Sequence, residues 1–290
     1  MADRLKLTAG EALRSTTRFL AASGSSSPRL DAELLLGRAL GVERLQLYLQ
    51  FERPLSVTER DRSRDLIRRR GHGEPVAYIL GSKEFCGLSF KVDRSVLIPR
   101  PESEFLVELA RQRLAQGDGS GRVADLGCGS GCLGVSLAVA RIGAEVDLVD
   151  TSAAAAGLAR ENAAAHGVQG RVAVLEGDWV EPLAGRGPYR LVMSNPPYVT
   201  TAELEDLPPS VRDFEPRLAL DGGADGLEAY RRLLPGLALI THPGSTVLLE
   251  GDPGRLPRVA EMCQEWWPEA RVHEHQDLTA RLRVLEVEVR

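Results

Sequence analysis

Apolar residues recur at helical spacing through the first eighty positions of the chain. Residues 9–22 place them on one face and end near Gly24. A serine-rich turn and Pro28 follow, a usual helix opening. Leu30, Leu34, Leu35, Leu36 and Leu40 then mark an amphipathic helix that stops at Gly41. A third helix is predicted over 56–70, where Ser56 and Glu59 have the spacing of a capping box. No strand pattern precedes residue 84, so the front of the chain is predicted to be a small helical bundle.

The pattern then changes. Phe85, Leu88, Phe90, Val92, Val96 and Ile98 predict a short hairpin within 84–98. The prolines of Ile98-Pro99-Arg100-Pro101 keep the chain extended ahead of a helix over 103–114, and a polar, glycine-rich loop covers 116–121. Strands predicted at 123–126, 146–150, 172–175, 189–194 and 246–250 are interspersed with helices at 133–140, 152–166, 227–240 and 256–266. Such alternation means a parallel sheet covered on both faces. No helix separates 271–275 from 282–289, so these are expected to pair antiparallel at one edge. The expected organisation is a helical domain over 1–83, a hairpin and linker over 84–104 and an α/β domain over 105–290.

Composition narrows the class. The 290 residues are 43% apolar and 27% charged, with no apolar run near 18 residues and no secretory stretch in residues 1–6. A cytoplasmic protein without a membrane partner is expected. The net charge of -5 splits into +4 over residues 1–85 and -9 over the remainder, which does not describe a strong nucleic-acid binder. The one basic run, Arg68-Arg69-Arg70, reads as a solvated helix end, with an RNA or protein contact as the alternative. Cys86, Cys128, Cys132 and Cys263 show neither Cys-x-x-Cys spacing nor nearby histidines, so neither zinc nor a disulfide framework is expected.

Two segments carry chemistry. Val123-Ala124-Asp125-Leu126 runs into Gly127-Cys128-Gly129-Ser130-Gly131, a strand entering a glycine turn before a helix. Glycines there allow close approach of backbone to ligand. The next strand ends in Asp150, 23 positions after Gly127, where a carboxylate can accept from both ribose hydroxyls of a nucleoside cofactor. Gly129 to Gly134 also fits G-x-G-x-x-G, which leaves a nicotinamide oxidoreductase open. The D-x-G-x-G-x-G arrangement more closely resembles the S-adenosylmethionine loop of class I methyltransferases. In that fold Gly177-Asp178-Trp179 lies beside the adenine, the acid accepting from the exocyclic amine and the indole stacking on the base.

Asn195-Pro196-Pro197-Tyr198 follows the buried strand Leu191-Val192-Met193-Ser194. As a proline-rich turn it would be ordinary. Behind that glycine loop it resembles the signature of methyltransferases acting on planar nitrogens, whether amide or exocyclic amine. Such a nitrogen is a poor nucleophile because its lone pair is delocalised. Two acceptors, the Asn195 side-chain oxygen and the Pro196 carbonyl, can hold its N–H groups and bind more tightly as positive charge develops. Tyr198 can pack on the planar group and exclude water.

Further segments extend the likeness. They are Ser27-Pro28-Arg29-Leu30-Asp31-Ala32-Glu33-Leu34, Gly73-Glu74-Pro75-Val76-Ala77-Tyr78, Ile98-Pro99-Arg100-Pro101-Glu102-Ser103-Glu104, Phe214-Glu215-Pro216-Arg217 and Gly222-Gly223-Ala224-Asp225-Gly226. With them the chain resembles, over nearly its whole length, the bacterial peptide chain release factor N5-glutamine methyltransferase family. The resemblance implies a class I S-adenosylmethionine-dependent methyltransferase fold: α/β, Rossmann-like, a mostly parallel sheet with an antiparallel edge strand, behind a small α-helical bundle that recognises substrate. It implies methyl transfer from S-adenosylmethionine, leaving S-adenosylhomocysteine and using no metal. The acceptor implied is the glutamine of the Gly-Gly-Gln motif of class 1 release factors. Gly127, Cys128, Gly129, Ser130, Gly131, Asp150, Asp178, Trp179 and Asn195 would bind cofactor. Asn195, Pro196 and Tyr198 would be catalytic, and with Pro197 would frame the glutamine. A monomer with no direct nucleic-acid contact is expected. A ribosomal-protein glutamine methyltransferase and a nucleic-acid amino methyltransferase are the alternatives. The chain departs from the family at Ser103, where threonine is expected, at Leu249-Glu250-Gly251, which lacks a histidine, and over 277–283, which lacks a glycine and a second acid.

Overall fold

The computed structural model describes residues 7–116, 121–141, 143–277 and 279–290. Residues 1–6, most of the 116–121 loop and Leu278, all read above from sequence, lie outside the described residues. The chain divides into two units, Met1–Gly81 with Pro208–Phe214, and Ser82–Leu207 with Glu215–Arg290. It therefore passes between them three times, at 81/82, 207/208 and 214/215.

The first unit is helical: α1 (Ala9–Ala22), α2 (Pro28–Leu40), α3 (Arg44–Leu49), α4 (Val57–Gly71) and α5 (Val76–Leu80), with a single turn at Pro209–Arg212. α1 and α4 both open on reciprocal capping boxes. In α4 the Ser56 hydroxyl accepts from Glu59 N at 3.2 Å while the Glu59 carboxylate accepts from Ser56 N at 2.8 Å. α2 begins on Pro28 and ends at left-handed Gly41, as its sequence requires. Leu13, Leu20, Leu35, Leu36 and Leu47 form a fully buried centre. The arginine run is not a solvated helix end throughout. Arg68 pairs with Asp65 and Arg69 with Glu74, while Arg70, 13% exposed, pairs at 2.7 Å with buried Asp31 of α2. The last turn of α4 lies against α2, so its third arginine serves as a staple.

The second unit opens with the hairpin β1 (Ser82–Phe85) and β2 (Leu88–Lys91) and the helix α6 (Glu104–Ala115), which a 3-10 turn at Pro101–Ser103 precedes. There follow β3 (Gly121–Leu126), α7 (Cys132–Ala140), β4 (Ala144–Asp150), α8 (Ala153–Ala165), β5 (Val172–Glu176) and β6 (Leu191–Ser194). The chain ends with α9 (Glu228–Ile240), β7 (Thr246–Glu250), α10 (Leu256–Trp266), β8 (Arg271–Gln276) and β9 (Leu282–Glu288). The seven-stranded sheet has the order β5-β4-β3-β6-β7-β9-β8. Its first five strands are parallel; β9 is antiparallel to β7 and to the edge strand β8.

Side chains alternate across the sheet, as the strand period demands. Val123, Leu191 and Met193 join α6, α7 and α8 in one core, and Ala124, Val192 and Val247 join α9 and α10 in the other. The parallel strands all end on the same side. That arrangement brings the segments after β3, β4, β5 and β6 around one cleft, where open α/β sheets take their ligands.

Candidate active site

The cleft encloses about 870 Å³, its open mouth included. Its floor is the turn after β3. The N–H groups of Gly127 and Cys128 both donate to the Val149 carbonyl at 2.9 Å, and Gly129 N donates to Asp150 Oδ2 at 2.8 Å. Gly129 has φ +53, and a Cβ built there would meet no atom within 4 Å. Its glycine answers to backbone conformation and an open cleft, not to packing. Asn162 of α8 holds the turn from behind. It donates to the Ser130 carbonyl at 2.8 Å and makes two bonds to the Lys91 backbone.

Asp150 closes β4. Ser152 N donates to its Oδ1 at 2.9 Å, so each oxygen is bound once and keeps a free acceptor site at the cleft. Burial raises its pKa and the two backbone donors oppose the shift. Asp125, fully buried beneath the turn, accepts from Gly134 N at 2.9 Å, and its Oδ1 has no partner among the described residues. Burial pushes it up to about 7. Its spacing before Gly127 was the sequence signal for this second acid.

After β5, Trp179 is held at φ +46, a costly conformation for a bulky residue. Its indole lies over Gly127, and its buried Nε1 has no partner among the described residues. That donor is available to an acceptor on a ligand. Asp178 also lines the cleft, but its Oδ2 is taken by Arg232 at 2.6 Å, leaving Oδ1 for other partners.

Asn195 and Pro197 complete the wall. Not every residue expected at the site reaches it. Cys128 and Ser130 are buried beneath the turn, and Gly131 is the N-cap of α7. Pro196 is buried, and Tyr198, half-buried, packs against the core on the α9 and α10 side of the sheet, a burial that raises its phenol pKa. A tight turn directs successive residues to opposite sides, so a contiguous motif cannot all face one ligand.

The tetrapeptide is braced by a loop whose role its sequence did not reveal. Val199 N donates to the Leu220 carbonyl at 3.0 Å, and Gly222 N donates to the Val199 carbonyl at 2.7 Å. Gly226 has φ +76, and a Cβ there would lie 2.4 Å from the Tyr198 carbonyl oxygen and 2.3 Å from Arg255 Nε. Buried Glu215 accepts from Ile98 N at 3.1 Å and from Arg100 at 2.6 Å, tying the Ile98-Pro99-Arg100 segment to the other lip of the cleft.

The residues present fit a nucleoside cofactor: a carboxylate pair of acceptors at Asp150, an unpaired indole donor, and a turn whose Gly129 keeps space clear. With Asn-Pro-Pro-Tyr after β6 of a doubly covered, mostly parallel sheet, they define a class I S-adenosylmethionine-dependent methyltransferase. The model of the PrmC N-terminal domain matches residues 11–81, and that of the methyltransferase small domain matches residues 101–207. The chain is similar to the release factor glutamine methyltransferase of Geobacter sulfurreducens, 44% identical over 85% of both chains. It is 46% identical to that of Moorella thermoacetica over 84% of this chain and 85% of its relative. To that of Rhodopirellula baltica it is 36% identical over 94% and 93%. It belongs to the release factor glutamine methyltransferase family. The oxidoreductase reading of Gly129 to Gly134 is thereby set aside; Gly134 packs on Leu148 of the sheet. Among solved structures, the hMettl16 catalytic domain in complex with a MAT2A 3'UTR hairpin shares the fold. Its TM-score is 0.56 at 16% identity, over 78% of this chain and 82% of that one. No helix among the described residues is long and apolar enough to cross a membrane.

Proposed function

We propose that this chain methylates N5 of the glutamine in the Gly-Gly-Gln motif of class 1 peptide chain release factors, using S-adenosylmethionine. The observation that carries this reading is that the likeness to release factor glutamine methyltransferases includes residues 11–81, outside the cofactor fold. The helical unit is then the part that recognises the protein substrate, and the activity belongs in the cytoplasm, with translation. The net charge of -9 beyond residue 85 argues against a nucleic-acid substrate.

S-adenosylmethionine, when bound, would supply a sulfonium methyl group to the amide nitrogen, leaving neutral S-adenosylhomocysteine and releasing one N–H proton to solvent. Asp150 would hold the ribose hydroxyls, and Trp179 and Asp178 the adenine. Asn195 Nδ2 is already engaged by Ser103, and no group among the described residues donates to Oδ1. That oxygen and the Pro196 carbonyl can accept the two N–H groups of the glutamine amide. Both acceptors strengthen as the nitrogen gains positive charge, so they stabilise the transition state more than the ground state. Pro197 lines the cleft and restricts the approach.

The test supplies methyl-labelled S-adenosylmethionine with a purified release factor, a large-subunit ribosomal protein and DNA as acceptors. Label on the release-factor glutamine is the expected outcome, and label on either other acceptor alone refutes it. Asn195→Ala should lower kcat by roughly 100-fold or more with its melting temperature little changed.

A further inference from the structure

We propose that the open groove between the β1–β2 hairpin, α6 and α7 seats a basic segment of the substrate protein, anchored there by an apolar side chain. The inference rests on the protein substrate proposed above and adds where that substrate is held beyond its glutamine. The groove encloses about 1390 Å³, its open mouth included, and is larger than the cofactor cleft on the same measure. Its apolar walls are Cys86, Leu88, Pro101, Phe105 and Val139. Leu88 and Phe105 are only half-buried against the core, and Val139 is 38% exposed. A contiguous apolar surface with a polar rim is the usual form of a docking site.

Two independent observations point to an occupant. On the wall formed by α7, Ser136 is 3% exposed, and its Oγ has no hydrogen-bond partner among the described residues. A serine inside a helix commonly bonds back to the carbonyl four residues earlier, and this one does not. The Cys86 thiol, only a weak donor, lies beside it. A buried hydroxyl left in this state is uncommon and is free to bond a polar atom of an occupant. At the rim stand Glu102 and Glu104. Glu104 accepts from Cys86 N at 2.8 Å, and neither carboxylate has a cationic partner among the described residues. Arg111, which also lines the groove, is held by both oxygens of Glu108 at 2.8 Å. The rim therefore carries uncompensated negative charge around an apolar floor. That combination complements an apolar anchor flanked by lysine or arginine.

The location selects a protein segment as that occupant. Glu102 and Glu104 flank Ser103, whose hydroxyl is 3.2 Å from Asn195 Nδ2. One stretch of chain, Pro101–Glu104, thus borders both the groove and the residue given the acceptor amide. A polypeptide whose glutamine meets Asn195 needs only a few further residues, at roughly 3.3–3.6 Å each, to enter the groove. A free small molecule gains nothing from this adjacency, whereas a second contact on the same substrate gains effective concentration. Such a contact is equally strong in the ground and transition states. It lowers KM for the protein acceptor and leaves the chemistry at Asn195 unchanged.

Fluorescence anisotropy on the full chain reads the contact directly. The probe is a labelled peptide, Gly-Gly-Gln flanked on both sides by Lys-Leu-Lys; its control carries Glu-Leu-Glu instead. The lysine peptide should bind, and the glutamate peptide should bind roughly 10-fold more weakly or worse. Glu102→Lys should weaken the lysine peptide roughly 10-fold and strengthen the glutamate peptide, a reversal that loss of structure does not produce. Val139→Trp, which narrows the groove without changing its charge, should weaken both peptides. With a purified release factor as acceptor, each variant should raise KM for that acceptor roughly 10-fold, while kcat and KM for S-adenosylmethionine change little. Equal binding of the two peptides overturns the proposal, as does a lysine-peptide affinity that neither variant alters. A loss of kcat in both variants at unchanged KM for the release factor overturns it too. An unsubstituted protein inert toward release factors refutes the substrate proposed above; the peptide measurements still decide the groove.

Discussion

Gly226 shows how far a single position reaches. Its left-handed backbone and the atoms 2.3 and 2.4 Å from its absent Cβ belong to the braces of Asn195-Pro196-Pro197-Tyr198. Gly226→Ala adds strain of about 1–3 kcal/mol and displaces either Arg255 or the Tyr198 carbonyl. The expected outcome is a lowered melting temperature together with a kcat reduced roughly tenfold or more, and a cofactor Kd by calorimetry that changes much less. Loss of cofactor affinity equal to the loss of kcat would refute the bracing role. At this scale the sequence was only half readable. Asn195 and Asp150 were recognisable because their chemistry and their place after a strand are local facts. Glu215 was not, since it acts through Ile98 and Arg100, 117 and 115 positions away. Cys128 and Ser130 were assigned to the cofactor because they sit inside the motif, yet the turn directs them inward.

At the scale of elements, periodicity served well where elements were long. The strands at 246–250 and the helices at 9–22 and 256–266 coincide with β7, α1 and α10. α3 and α5, six and five residues long, span too few turns to show a period, and tertiary packing decides them. The capping box of α4 was legible because its two partners are three residues apart. Hydrogen bonds from Arg53 and from Ser56 hold the Glu59 carboxyl down at about 2. A depressed carboxyl contributes stability above its unfolded pKa, and that stability is lost as pH falls through the folded value. The melting temperature of the helical unit should therefore fall between about pH 5 and pH 2, and less steeply in Glu59→Gln. Ser56→Ala should cost about 1 kcal/mol, read by urea denaturation.

At the scale of the molecule, the helical unit is not simply the first segment of the chain. Pro208–Phe214 belongs to it, and the Phe214 ring lies 3.5 Å from where a Cβ of Gly73 would be. The even alternation of strands and helices hid this, because the excursion between β6 and α9 carries no period. Phe214→Ala should raise hydrogen exchange in Val57–Gly71 and Val76–Leu80, elements far from it in sequence, while leaving β3 to β6 protected. Exchange confined to residues near 214 would show that the segment is only peripheral.

That threading also sets a timetable for synthesis. Domains usually fold in the order in which they are made, at roughly 5–20 residues per second. Here the helices are finished at Gly81, but the segment that completes their unit begins at Pro208. The ribosome needs roughly 6–25 seconds to make the intervening chain at those rates. During that interval the nascent helical unit must wait, its Gly73 surface uncovered, for a piece delivered late from within the other unit.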